Sequence, residues 1–224
     1  MSVDKNLEQV MDRVNKASET VGRDPKEVTI VAVTKYVSNE RAEEAVKAGL
    51  LHLGENRPEG LEEKKKALHA EQIKWHFIGT LQSRKVKKVI NDVDFLHSLD
   101  RLSLAEEIQK RAEHPIKCFL QVNVSGEEQK HGLSPENASE FVEQLESYDK
   151  IEVIGLMTMA PNTQDEAVLR NCFRNLRELR DRIQEKKLAN VPCTELSMGM
   201  SNDFEIAIQE GATYIRIGSS LVGE

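Results

Sequence analysis

Apolar positions along this chain follow two rhythms that alternate from end to end. Short runs of β-branched and aliphatic residues give way to longer stretches in which apolar residues recur every three or four positions. Residues 5–21 put Leu7, Val10, Met11, Val14 and Val21 on one face at helical spacing. Residues 28–34 form a compact apolar strand, after which Asn39 is expected to cap a helix that Gly49 stops. A short strand over 50–53 ends at Gly54, and a charged helix follows over 58–70. Strand three covers 73–78 with a helix over 83–91, and strand four covers 94–99 with Asp100 as N-cap of a helix over 102–112. Strand five covers 116–124, and Ser134-Pro135 then starts a helix in N-cap and N1 order. Strand six covers 151–157 and precedes a long helix over 165–187. Strand seven covers 194–198. Asn202, with Glu205 three residues on, reads as a capping box for a short helix ending at Gly211, and strand eight covers 212–217.

Eight strands separated by helices imply parallel pairing through right-handed crossovers, and eight such units close into a (β/α)8 barrel. An open doubly wound sheet is the structural alternative. The chain stops soon after strand eight, so no final helix is expected, and the extra N-terminal helix is expected to cover the gap beside strand one. No long linker, repeat or low-complexity segment divides residues 1–224, which read as one domain.

Composition narrows the function classes. Net charge is −7 and aromatics are only 4%, which argues against a nucleic-acid partner. No apolar run approaches the roughly 20 residues of a membrane span. The N-terminus opens a mixed-charge helix and not a signal peptide. Cys118, Cys172 and Cys193 stand alone, at spacings that suit neither zinc nor disulfides, so no metal is expected and the cytoplasm is the simplest compartment. Lys64-Lys65-Lys66 reads as a solvated helix face, as does the run containing Arg84, Lys85, Lys87 and Lys88.

In a parallel barrel the chemistry collects at the C-terminal ends of the strands. Strand one ends in Thr34-Lys35. A lysine there is either a stem reaching for solvent or, if buried, an amine made nucleophilic toward carbonyls. Strand seven ends in Ser197-Met198-Gly199-Met200-Ser201, a small-residue loop whose N–H groups and Ser201 hydroxyl suit an anion, and Gly218-Ser219 after strand eight offers a second nest. Arg216, between Ile215 and Ile217, needs a partner: a structural carboxylate, or a ligand at the barrel mouth. A carbonyl-reactive lysine, a phosphate cradle and an arginine together suit an aldehyde phosphate. Pyridoxal 5′-phosphate (PLP) is the commonest such ligand, and a sugar-phosphate aldolase would use the first two parts.

At these residues the chain resembles the pyridoxal phosphate homeostasis protein family, which is itself similar to the barrel domain of alanine racemase. The matching stretches are Val31-Ala32-Val33-Thr34-Lys35, Gly54-Glu55-Asn56, Trp75-His76-Phe77-Ile78-Gly79, Leu81-Gln82-Ser83 and Gly155-Leu156-Met157-Thr158-Met159. The most specific are Leu196-Ser197-Met198-Gly199-Met200-Ser201 and Arg216-Ile217-Gly218-Ser219. The resemblance implies PLP held as a Schiff base on Lys35, with Ser201, Gly218 and Ser219 binding the phosphate and Met200 also among the cofactor-binding residues. It also implies that Arg216 faces the pyridine nitrogen and that Asn56 and His76 line the pocket. Departures are Arg57-Pro58-Glu59, Thr80 and Arg84, all at the expected pocket rim.

The resemblance implies a carrier that buffers PLP or delivers it to apo PLP-dependent enzymes, and so affects vitamin B6 and amino-acid metabolism. A slow amino-acid racemase is the runner-up. Racemases draw a tyrosine from a second domain, and here Tyr36, next to Lys35, should point away by strand alternation. A monomer is expected. The polar loop Glu127-Glu128-Gln129-Lys130-His131 is the available lid, read as mobile, with Lys130 solvated.

Overall fold

The computed structural model describes residues 2–127 and 129–223; Met1, Glu224 and the loop residue Glu128 lie outside the described residues. The first half of the chain runs α1 (Val3–Thr20), β1 (Thr29–Val33), α2 (Asn39–Lys47), β2 (His52–Glu55), α3 (Pro58–Ala67), β3 (Lys74–Phe77) and β4 (Phe95–Leu99). The second half runs α4 (Leu102–Arg111), β5 (Ile116–Gln121), α5 (Pro135–Gln144), β6 (Ile151–Met157), α6 (Glu166–Gln184), β7 (Glu195–Met200), α7 (Phe204–Gln209), β8 (Tyr214–Ile217) and α8 (Ser219–Val222). The strands pair in sequence order, each parallel to the next, and β8 returns to β1 with Ala32 opposite Ile217. The barrel is closed, which removes the open-sheet alternative.

Local chemistry explains the element starts, with three corrections. Ser38 caps α2 by accepting from the Arg41 N–H, one residue before the expected Asn39. Asp100 does not cap α4; it pairs with Arg101 at 2.6 Å. Asp203, not Asn202, holds the N-cap position of α7, without a side-chain cap bond to the helix. The expected Ser134 cap is present, accepting from the Asn137 N–H. The segment expected as a helix over 83–91 is instead two 3-10 turns, Ser83–Lys88 and Ile90–Asp92. Three residues per turn keep the buried Val86 and Val89 on one face of this basic stretch.

The ring is sealed on its outside by α1 and by α8, a one-turn final helix that the sequence did not lead us to expect. Asn6 of α1 donates to the Leu221 carbonyl at 2.8 Å, and Arg41 of α2 donates to the carbonyls of Val222 and Gly223. Arg13 of α1 pairs with Glu205 and stacks over Phe204 of α7. The expected covering role of the N-terminal helix is therefore met.

The main apolar core lies between the barrel and its helices, and a smaller cluster of Phe95, Phe119, Ile154 and Met157 fills the barrel interior. Strands β6 and β7 approach so closely at Gly155 that a Cβ there would meet the Glu195 carbonyl oxygen at 2.0 Å. All three cysteines are buried and unpaired, and burial pushes the Cys172 and Cys193 thiols up to about 11 and about 12. Lys64, expected in solvent, is buried in an ion pair with Glu55 at 3.2 Å. Among the described residues no helix is long and apolar enough to cross a membrane.

Candidate functional site

The C-terminal ends of the strands open into a cavity of about 460 Å³. Lys35, Met200, Ser201, Arg216, Gly218 and Ser219 all line it, above an apolar floor that includes Val33, Ile78 and Met157. Six of the eight residues singled out in the sequence are thus brought together by β1, β7 and β8.

Lys35 follows a strand end that is firmly held. The Thr34 N–H bonds the Gly54 carbonyl, and the Thr34 hydroxyl donates to Glu55 at 2.7 Å, which is in turn the partner of Lys64. The side chain of Lys35 is exposed, not buried, so it reaches the cavity from its rim. Tyr36 breaks the strand pattern. With φ at 67° the chain turns out of extended geometry, so alternation no longer sets where the ring points. The Lys35 ammonium lies 5.9 Å from the Tyr36 ring centre, and both residues line a neighbouring hollow of about 290 Å³ with Gly218 and Ser219. Asn56 sits on the rim, where its amide donates to the Tyr36 hydroxyl at 3.3 Å. That bond first, and the charge of Arg57 second, lower the Tyr36 phenol from its usual value. Asn56 is not among the residues lining the main cavity.

The cradle at β7 depends on a left-handed turn. Gly199 has φ at +94°, and a Cβ there would fall 2.6 Å from the Ala207 Cβ, so α7 can pack directly beneath the loop. Met200 belongs to the cavity through its side chain only, because its N–H already donates to Asp203 at 2.6 Å. Burial raises the Asp203 carboxyl, opposed by that N–H bond and by the charge of Arg216. The Ser201 hydroxyl remains a donor at the mouth. Past β8, the Gly218 carbonyl accepts from the Leu221 and Val222 N–H groups, so the preceding N–H groups at the start of this turn are not used inside it.

Arg216 is almost wholly buried, yet it lines the cavity. Its partners are not carboxylates. One terminal nitrogen donates to the Ser197 hydroxyl at 2.5 Å and the other to the Thr158 carbonyl at 2.9 Å. Burial pulls the guanidinium down to about 10, with Asp203 opposing, so it stays cationic at neutral pH.

His76 does not line the cavity. It lies fully buried inside the barrel, stacked on Phe95 with ring centres 4.2 Å apart. Its Nε2 is 2.9 Å from Nδ1 of His52, and its Nδ1 is 2.8 Å from Nε2 of His97. His97 Nδ1 then lies 2.9 Å from the Ser197 hydroxyl that Arg216 contacts. Burial holds His76 and His97 well below the usual imidazole range, with the adjoining imidazoles of His97 and His52 adding to the effect at His76 and the charge of Arg216 at His97. Sequence reasoning missed His52, His97 and Thr158. The available signal was a histidine inside a run whose other residues are apolar, as in Phe95-Leu96-His97.

The loop after β5 is tied down at both ends. The Asn123 amide donates to the Glu127 and Lys130 carbonyls, and Gln121 donates to the His131 carbonyl. Lys130 is bonded to Glu127 and reaches the Met159 carbonyl at 3.4 Å, so it is not a freely solvated amine. A larger hollow of about 540 Å³ lies by the N-terminal ends of β3 and β4. Its lysines are committed, Lys65 to Asp92 and Lys74 to Asp94, so it lacks the converging donors of the mouth.

Comparison with known proteins places this geometry. The family described as "Alanine racemase, N-terminal domain" matches residues 5–224. A relative from Aquifex aeolicus named pyridoxal phosphate homeostasis protein is 44% identical over 227 residues, spanning 100% of this chain and 99% of its own. The structure of PipY from Synechococcus elongatus with PLP bound superposes with a TM-score of 0.82 at 31% identity, covering 94% of this chain and 100% of that one. An alanine racemase from Clostridium difficile shares the fold alone, with a TM-score of 0.76 at 14% identity over 98% of this chain and 56% of its own.

Proposed function

The chain belongs to the alanine racemase N-terminal domain family and to the pyridoxal phosphate homeostasis proteins, and from that premise we propose that it binds PLP at the barrel mouth and buffers or delivers it. The observation that carries this reading is the convergence of Lys35, Ser201, Arg216, Gly218 and Ser219 on one cavity of about 460 Å³. The donor set suits the ligand. Ser201 and the N–H groups at Gly218 and Ser219 would hold the phosphate. Arg216, with two nitrogens already anchored, would present its remaining N–H groups to the pyridine nitrogen. When bound, PLP supplies an aldehyde electrophile, and the Lys35 amine is the group at the rim that would attach to it. Asn56 would act on the rim through Tyr36, and Met200 through its side chain. His76 would have no contact with the ligand.

The carrier reading is favoured over turnover by what stands near Lys35. A racemase needs a second proton-handling group beside the substrate carbon. Tyr36 is 71% exposed and its hydroxyl is engaged by Asn56 outside the main cavity. The mouth is open, and the loop after β5, held at Glu127, Lys130 and His131, would flank it without sealing it. On this reading the protein acts as a monomer in the cytoplasm, its partners are PLP and apo PLP-dependent enzymes, and amino-acid and vitamin B6 metabolism respond to it. The test is to mix the PLP-loaded protein with an apo PLP enzyme and follow the return of that enzyme's activity, with Lys35→Ala as control. Recovery faster than with the control is the expected result. No transfer over many hours, together with amino-acid racemisation at enzyme-like rates, would replace the carrier by the racemase.

A further inference from the structure

Inside the barrel, four polar side chains stand in line beneath the mouth: Ser197, His97, His76 and His52. Each bridges to the next at 2.8–2.9 Å, and Arg216 stands at the top of the line, 2.5 Å from Ser197. The rings link end to end and do not converge on a point, and among the described residues no cluster of histidines, cysteines or carboxylates could hold a metal ion. We propose that Ser197 and His97 are positioning residues for Arg216, the inner links of a hydrogen-bond chain that has a single polarity from the mouth to His52.

The polarity follows from donor arithmetic. A guanidinium only donates, so the Ser197 oxygen accepts from Arg216. Ser197 is fully buried, and among the described residues the hydrogen-bond partner left for its own hydroxyl proton is Nδ1 of His97. Ser197 therefore donates to His97, which must carry its proton on Nε2 and donate to Nδ1 of His76. His76 in turn carries its proton on Nε2 and donates to Nδ1 of His52. His52 is half-buried and borders a hollow at the far end of the barrel, between the start of β2 and Tyr214, Lys74 and Asp94. There its own Nε2–H can be hydrated. The reverse polarity would leave the Ser197 hydroxyl proton buried without an acceptor, which is the costly kind of unmade bond. Packing prevents the rings from escaping by rotation: His76 lies parallel to Phe95 within 1°, and His97 stacks on Phe119 at 4.4 Å.

The consequence lies at the mouth. Ser197 and the Thr158 carbonyl grip the two terminal nitrogens of Arg216, so the guanidinium plane is fixed before any ligand arrives. The functional half of this inference rests on the proposed PLP site, while the polarity of the chain does not. The test separates them. Nitrogen-15 NMR of histidine-labelled, ligand-free protein at neutral pH reads the imidazole tautomers directly. The expected result is the Nε2–H form for both His76 and His97. Ser197→Ala should give His97 a mixture of tautomers and weaken PLP retention by about tenfold, and Ser197→Thr should restore both. An Nδ1–H form at His97 in the unaltered protein overturns the chain outright, with no variant needed. Unchanged tautomers in Ser197→Ala overturn it as well. Failure of the unaltered protein to bind PLP at all would instead sink the ligand reading and leave the tautomer result standing.

Discussion

Lys35 stands exposed at the rim of the mouth, whereas Lys64 is buried against Glu55 behind the β2 side of the same barrel. The contrast extends to their surroundings. Around β1, β7 and β8, polar groups border an open cavity and several donors have no partner committed within the turn. On the β2 to β4 side, Thr34 and Lys64 both satisfy Glu55, and separately the three imidazoles bridge one another inside the barrel. What separates a site from a scaffold here is whether the polar groups still have unmet valence facing solvent. Residue type alone does not separate them, because both regions contain a lysine beside a strand end.

Exchanging the two lysines' fates gives the largest effects. Lys35→Ala should abolish the pyridoxyl group fixed by borohydride on the PLP-loaded protein while moving stability by only about 0.5 kcal/mol. Lys64→Met should do the reverse. It strands a buried carboxylate and should cost about 3–5 kcal/mol in urea unfolding, while the folded fraction still takes up PLP. A pyridoxyl adduct persisting on another lysine in Lys35→Ala, or a Lys64→Met protein of unaltered stability, would each break the division.

A smaller effect belongs to the cradle. Ser201→Ala should weaken PLP retention by about 1.5–3 kcal/mol, roughly ten- to hundredfold, through loss of a bond to a charged acceptor. Equilibrium dialysis checks it, and unaltered affinity would mean that the phosphate lies elsewhere.

The smallest effect per residue is on the wall and depends on pH. Burial lowers His76 and His97, so the folded protein holds them neutral while the unfolded chain protonates them near pH 6.5. The unfolded state then binds more protons, so stability is full above that pH and falls as pH drops below it. Each histidine adds up to about 1.4 kcal/mol per pH unit until its folded value is reached. Urea midpoints at pH 7.5 and 5.5 should differ accordingly, and equal midpoints would show that the rings are charged in the folded state.

The barrel itself was legible in the chain because alternating strands and helices leave few closed solutions, and the mouth was legible because strand ends are read by position. Met157 and Lys35 needed no tertiary knowledge to place. Asp203 for Asn202 and Ser38 for Asn39 were one-residue errors at helix starts: Ser38 takes the Arg41 N–H, while Asp203 holds the N-cap position with its carboxylate turned back to the Met200 N–H. The burial of Lys64 was not legible: its partner Glu55 belongs to a strand end rather than to its own helix, and helical periodicity says nothing about a charge on a distant strand. His76 was misplaced for the same kind of reason. Its neighbours His52 and His97 are 24 and 21 residues away, and only the register of adjacent strands aligns the three rings.

The seam between β1 and β8 has a kinetic consequence. β1 pairs with β2 early in the chain, but its other edge waits for Tyr214–Ile217, so the contact that closes the ring spans nearly the full sequence. Lys35 lies on one side of that seam and Gly218 and Ser219 on the other, and all three border the same cavity. A nascent chain emerging from the ribosome therefore carries the lysine long before it carries the cradle. The mouth comes into existence only at ring closure, which makes capture of the ligand a report on the joining of β8 to β1.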